Sequence, residues 1–177
     1  MYYTVWPSPL GDLRLVFDDD ALHEASFAGQ RHEVPLDPGW TRHDDHPLVR
    51  RAIAQFAAYF AGAARRFDLP LALDGTAFQR RVWRALLDIG WGRTASYGEI
   101  ARAIGAPAAV RAVGAAVGRN PLSVVVPCHR VVGSDGSLTG YAGGLDRKHR
   151  LLAIEGWSVP GDDPRDRPVR PVPATAS

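Results

Sequence analysis

The segment Val126-Pro127-Cys128-His129-Arg130 places the chain's single cysteine directly before a histidine. A thiol attacks as the thiolate, and with an ordinary pKa of about 8.5 it is mostly protonated at neutral pH, so it needs a base. An imidazole can take the proton, directly or through water, and a carboxylate can orient that imidazole and stabilise its charge. Glu155, downstream, supplies such an acid. The same cysteine also reads as an inert core residue, because a lone thiol in an apolar run is commonly buried. Neighbouring side chains on extended backbone point to opposite faces. Cys128 and His129 therefore converge only if the chain turns there or a water bridges them. One cysteine excludes an internal disulfide and a multi-cysteine zinc site, and a thiol that must stay reduced points to the cytoplasm, or to a nucleus if the source has one.

The elements that must position these groups are legible in outline. Tyr2 to Trp6, Leu13 to Phe17 and Leu22 to Phe27 are β-prone runs separated by turn-forming Pro-Ser-Pro-Leu-Gly and Asp18-Asp19-Asp20, which predicts an antiparallel meander. From Pro47, Leu48, Ile53, Phe56 and Phe60 recur near helical spacing up to Gly62. Phe67 to Leu73 is a further strand or an extended link. Thr76 is placed to cap a helix whose stripe is Phe78, Val82, Leu86 and Ile89, ended by Gly90 and Gly92. Ser96-Tyr97-Gly98-Glu99 has the form of a capping box opening a short helix to Ile104, and Ala106-Pro107 opens a second from Ala108 to Val117. Two short helices joined through Gly105 have helix-turn-helix spacing. Leu122 to Val126 reads as a short buried strand leading to the thiol.

With 46% hydrophobic and 23% charged residues among 177, the chain has the make-up of a soluble globular protein. Its apolar runs fall short of the roughly 18 to 20 residues of a membrane span, and no basic stretch followed by an apolar one opens it. Charge is unevenly placed. Residues 1–75 carry 7 basic and 11 acidic side chains, whereas residues 76–157 carry 11 and 5. A basic block next to helix-turn-helix spacing favours a polyanion partner, and the small residues around Arg111 suit either close approach to a duplex or tight internal packing.

Residues 78–157 resemble the O6-alkylguanine-DNA alkyltransferase family (methylated-DNA-protein-cysteine methyltransferases). The likeness is carried by Phe78-Gln79-Arg80-Arg81-Val82-Trp83, Ser96-Tyr97-Gly98-Glu99-Ile100-Ala101, AVRAVGAAVGRNP, VPCHRVVGSDGSLTGYAGGL and LLAIEG. The resemblance implies an α+β fold. Residues 1–75 would form a ribonuclease-H-like β-sheet plus helix domain, and 76–157 a helical winged helix-turn-helix domain carrying the reactive cysteine. A Pro-rich tail would occupy 158–177. It further implies that the thiolate takes the alkyl group from O6 of guanine, and from O4 of alkylthymine, in a single irreversible turnover without cofactor or metal.

By position, Cys128 is then the nucleophile, His129 the water-mediated base, Glu155 its orienting acid, and Asn120 the holder of the turn into the active-site segment. The target nucleotide must leave the stack to be reached. Arg111 would replace it, Tyr97 would meet the adjacent phosphate and the base edge, and Tyr141 would cover the base. Main-chain carbonyls of Cys128 and Val131 would read the exocyclic amine, and Ala142 would line the pocket. Ala112, Gly114 and Arg119 would complete the DNA-binding helix. The partner implied is double-stranded DNA with alkylated bases, entered through the minor groove by a monomer, with cooperativity on DNA left open.

Ser123 and Ala142 stand where some relatives carry Pro and Ser, which bears on acceptance of bulky adducts. His43 and His46 beside Asp44 and Asp45 form only a weak ligand cluster. Two other readings compete: a non-catalytic lesion sensor of the same architecture, in which the thiol is replaced, and a cysteine hydrolase, which needs an oxyanion site and repeated turnover.

Overall fold

A computed structural model describes residues 1–158 and the backbone of residues 170–171. Strands β1 (Tyr2–Ser8), β2 (Gly11–Phe17) and β3 (Leu22–Phe27) form the expected meander, with Tyr2 opposite Phe17 and Ser8 opposite Gly11. Gly11 closes the first hairpin at φ 106°, a conformation that side chains rarely tolerate. The central strand β2 is buried from Leu13 to Phe17. A two-residue strand, β4 (Thr41–Arg42), pairs in parallel with β1 and gives the order β3-β2-β1-β4. Nothing in the sequence announces it, because two polar, exposed residues carry no alternation to read.

Helix α1 (Pro47–Phe60) begins with Pro47 in its first turn and His46 as cap, the imidazole accepting from Leu48 N at 3.2 Å. It buries Leu48, Val49, Ala52, Phe56 and Tyr59, while Trp6 on β1 lies 6.4 Å from the Phe56 ring, so the helix covers the sheet. His43 and His46 pack as rings 5.3 Å apart. Among the described residues no group of three or more His, Cys, Asp or Glu is arranged to hold a metal. Phe67 to Leu73 is an extended link that touches the sheet at one bridge, Leu71 to Leu22.

The second half is helical. Helix α2 (Ala77–Leu87) has a complete capping box between Thr76 and Gln79. A short β5 (Ala95–Ser96) precedes α3 (Tyr97–Ala103), capped by the Ser96–Glu99 box; α4 (Val110–Gly118) follows. Pro107 and Ala108 lie in the turn before α4 rather than in its first turn, so this helix starts later than expected and has no side-chain cap. The α2 helix likewise stops at Leu87, before Gly90 and Gly92. Beyond the thiol come β6 (Val131–Val132), parallel to β5, then α5 (Leu145–Ile154), β7 (Trp157–Ser158) and β8 (Arg170–Pro171), antiparallel to β7. The rest of the Pro-rich tail, 159–169 and 172–177, lies outside the described residues. No described helix is long and apolar enough to cross a membrane.

One apolar core runs through both halves, from Leu13, Phe17 and Phe56 to Trp83, Val113 and Leu151. The edge of the meander is closed by the other half of the chain: Ala25 N donates to Pro121 O at 2.9 Å and Ser123 N donates to Ala25 O at 2.8 Å. An otherwise open strand edge thereby fixes the segment that approaches the thiol.

Candidate active site

Leu122 to Val126 is not the expected strand. Only Leu122 pairs, with Ala25. Ser123 to Val125 form a turn, and Val124 sits at φ 73°. A β-branched residue there costs on the order of 1–3 kcal/mol and persists only where its surroundings enforce it. Asn120 is part of that enforcement. Its Oδ1 accepts from Leu122 N at 3.0 Å; its Nδ2 donates to Val126 O at 2.8 Å and lies 3.0 Å from Cys128 Sγ. The apolar composition of the run conceals this turn, whereas the Asn-Pro pair before it is the visible signal.

Cys128 to Arg130 form a 3-10 turn, so the backbone is not extended there; the sulfur meets Asn120, and the imidazole meets Glu155 and Tyr59. Cys128 is 4% exposed and His129 fully buried. His129 Nε2 lies 2.9 Å from Glu155 Oε1, so its proton faces the carboxylate and Nδ1 is left as the basic nitrogen. Nδ1 is buried with no hydrogen-bond partner among the described residues. Such an orphan in a polar site marks the place for a water or a reacting proton. Burial lowers the His129 pKa despite the neighbouring carboxylate, which keeps the resting imidazole neutral. Burial also raises the Cys128 thiol, partly offset by Asn120 and Lys148. The resting pair is therefore neutral thiol and neutral base, and ionisation awaits proton movement.

Burial alone would raise Glu155; hydrogen bonds from His129 and Arg130, the charge of Arg130, and that of His129 once it is protonated in acid outweigh it and bring the carboxyl down to about 2. Arg130 Nε reaches Oε2 at 2.9 Å and its Nη2 reaches Oε1 at 2.9 Å, so the ion pair is two-pronged and buried. Tyr59 on α1 donates to the same Oε1 at 2.7 Å. Sequence reasoning missed both. Arg130 adjoins the Cys-His pair and carried a signal; Tyr59 shares the buried face of α1 with Phe56, and nothing in the sequence sets it apart there.

A cavity of about 530 Å³ is lined by Tyr97, Gly114, Arg119, Tyr141 and Ala142, and by Arg31 from the first half. Cys128 does not itself line it; Tyr97 and Tyr141 stand at its boundary. Tyr97 Oη donates to Thr139 O at 3.2 Å, and Tyr141 Oη is buried without a partner among the described residues. Burial keeps both phenols protonated. The Val131 carbonyl accepts from Lys148 Nζ and the Cys128 carbonyl from Val131 N; each keeps a lone pair for a second donor. Lys148 is fully buried on the apolar face of α5, also bonded to Thr139 O at 2.7 Å, and burial lowers it to about 8. A lysine within that stripe was the overlooked signal. Arg111 and Ala112 are exposed on α4, outside the cavity lining; Gly114 and Arg119 belong to it.

A sheet-and-helix half joined to a helix-turn-helix half that buries a single thiol, with an imidazole–carboxylate pair beginning at the next residue, has the form of a cysteine-dependent protein on a helix-turn-helix frame. Residues 77–157 match the family described as 6-O-methylguanine DNA methyltransferase, DNA binding domain, and residues 1–73 its ribonuclease-like domain. The chain belongs to this 6-O-methylguanine DNA methyltransferase family. It is 52% identical to a methylated-DNA–protein-cysteine methyltransferase of Mycolicibacterium paratuberculosis, covering 86% of this chain and 91% of that one. A protein of the same name from Methanosarcina acetivorans is 46% identical, over 88% and 99%. The solved structure of Mycobacterium tuberculosis OGT in complex with DNA superposes with a TM-score of 0.82 at 48% identity, over 88% of this chain and 93% of that chain.

Proposed function

We infer that this protein repairs DNA by moving the alkyl group from O6 of a modified guanine, and from O4 of alkylthymine, onto its own Cys128. The observation that carries the reading is a buried thiol held by Asn120 next in sequence to a Glu155-bonded imidazole whose Nδ1 is unpartnered among the described residues, in the half that carries the helix-turn-helix. The thiol proton passes through water to His129 Nδ1, while Glu155 stabilises the imidazolium. Sulfur forms a bond to the alkyl carbon as the carbon–O6 bond breaks, and the electron pair returns to the purine, which takes up a proton to become guanine. A dialkyl sulfide has no easy leaving step, so each molecule reacts once.

The nucleotide is everted into the cavity lined by Tyr97, Tyr141 and Ala142, Arg111 fills the gap in the stack, and Ala112, Gly114 and Arg119 carry α4 along the minor groove. Residues 1–75 and 76–157 act as the two domains of a cytoplasmic monomer, with 158–177 as a tail. Intact-mass measurement after incubation with a duplex containing O6-methylguanine tests the reading. One methylene equivalent is gained once, and Cys128→Ser gains nothing; repeated turnover favours a hydrolase, and binding without mass gain a lesion sensor.

A further inference from the structure

We propose that Tyr59, contributed by helix α1 of the first half, is a positioning residue that fixes the tautomer and orientation of His129 through Glu155. The proposal rests on the alkyl-transfer reading. Tyr59 is 1% exposed, and its ring is wedged by Trp91 at 5.3 Å, Phe67 at 5.4 Å and Phe60 at 5.6 Å. Its hydroxyl hydrogen goes to Glu155 Oε1 at 2.7 Å, which leaves a hydroxyl lone pair 3.2 Å from His129 Nε2. A lone pair there can only accept. Both Tyr59 and Glu155 thus demand a proton on Nε2, and the free lone pair is forced onto Nδ1, the nitrogen without a partner among the described residues.

The arrangement also sets how strongly the carboxylate acts on the imidazole. The groups facing His129 are Glu155 and Lys148 from α5 and its C-terminal end, Arg130 and Cys128 from the reactive turn, and Tyr59 from α1. Glu155 provides the one negative charge in that set, and the Tyr59 hydroxyl neutralises part of it. Without the hydroxyl, Glu155 holds the imidazolium more tightly and the base becomes harder to return to its neutral form. The weaker loss of an acceptor at 3.2 Å acts the other way and is the smaller effect, the contact to Glu155 being the shorter.

The test is single-turnover alkyl transfer from a saturating O6-methylguanine duplex to the full-length chain across neutral pH. Wild type is compared with Tyr59→Phe, and with Phe67→Leu as a packing control. Tyr59→Phe is expected to slow transfer about tenfold and to move the acidic limb of the rate profile up by about half a unit, with duplex affinity within about twofold of wild type. Phe67→Leu is expected to lower the melting temperature and leave the limb in place. A Tyr59→Phe protein with the wild-type profile overturns the proposal, as does a slower one whose limb has not moved. Nitrogen NMR of the His129 imidazole in wild type is a second test that needs no variant: a proton on Nε2 supports the proposal and one on Nδ1 overturns it. A wild-type protein that never gains mass overturns the repair reading instead, and the imidazole spectrum still decides the role of Tyr59.

Discussion

The amide nitrogen of Asn120 lies 3.0 Å from the sulfur of Cys128, while the other end of the same amide accepts from Leu122 N at 3.0 Å. One side chain therefore shapes the turn and supplies a donor to the nucleophile. In Asn120→Ala the Val126 carbonyl and Leu122 amide lose their partner in a buried setting, with a stability loss of about 2–4 kcal/mol in urea denaturation. Because the lost donor favours the thiolate, iodoacetamide labelling of Cys128 is expected to require a higher pH in the variant than in wild type. Equal labelling profiles would show that the contact does not tune the sulfur.

Glu155 holds a buried arginine as well as a histidine, which gives Glu155→Gln a definite signature. Arg130 is left as an uncompensated buried charge, a loss of about 3–5 kcal/mol at neutral pH. The folded carboxyl titrates near 2, well under its ordinary 4.5. Its contribution is therefore present above about pH 4.5 and is lost as pH falls toward 2. The stability gap between wild type and variant is expected to narrow over that window in acid denaturation followed by circular dichroism; a constant gap would contradict the assignment.

Lys148 shifts in the same direction, but its charged form is the one that burial disfavours, so the shift opposes folding below about pH 8. Burial brings its folded pKa down to about 8 from 10.5, so between those values the unfolded chain binds more protons than the folded one. Wild type is expected to gain stability relative to Lys148→Met as pH rises from about 8 to about 10.5. Parallel denaturation curves across that range would refute this.

Arg111 and Arg119 are both exposed on or beside α4, but the proposed roles differ. Arg119→Ala is expected to weaken duplex binding uniformly across sequences and to make the log-affinity against log-salt slope shallower by about 1. Arg111→Ala is expected to slow transfer from paired lesions far more than from the same lesion in single-stranded DNA, where nothing need be filled. Rapid-quench transfer assays on the two substrates separate them.

Local signals carry much of the fold. The capping boxes at Thr76 and Ser96, the three strands of the meander and the stripe of α1 are legible because each is set by residues within a turn or two. The Asn120–Cys128 and His129–Glu155 contacts join residues that the sequence already singles out around the thiol. What escapes depends on distant partners. The positive φ of Val124 follows from Asn120 and from pairing with Ala25, and no valine announces it. Tyr59 and Lys148 lie on the buried faces of their helices, and only the three-dimensional neighbours of their polar ends show that these reach Glu155 and the Val131 carbonyl.

The pairing of Ala25 with Pro121 and Ser123 means that the first strands and the reactive turn share hydrogen bonds as well as a packed interior. Neither half is autonomous in that respect. A fault anywhere along the meander edge, even one remote from the nucleic-acid face, reaches the sulfur by way of the backbone. The protein's chemical competence and its overall cohesion are, to that extent, a single property under a single selective pressure.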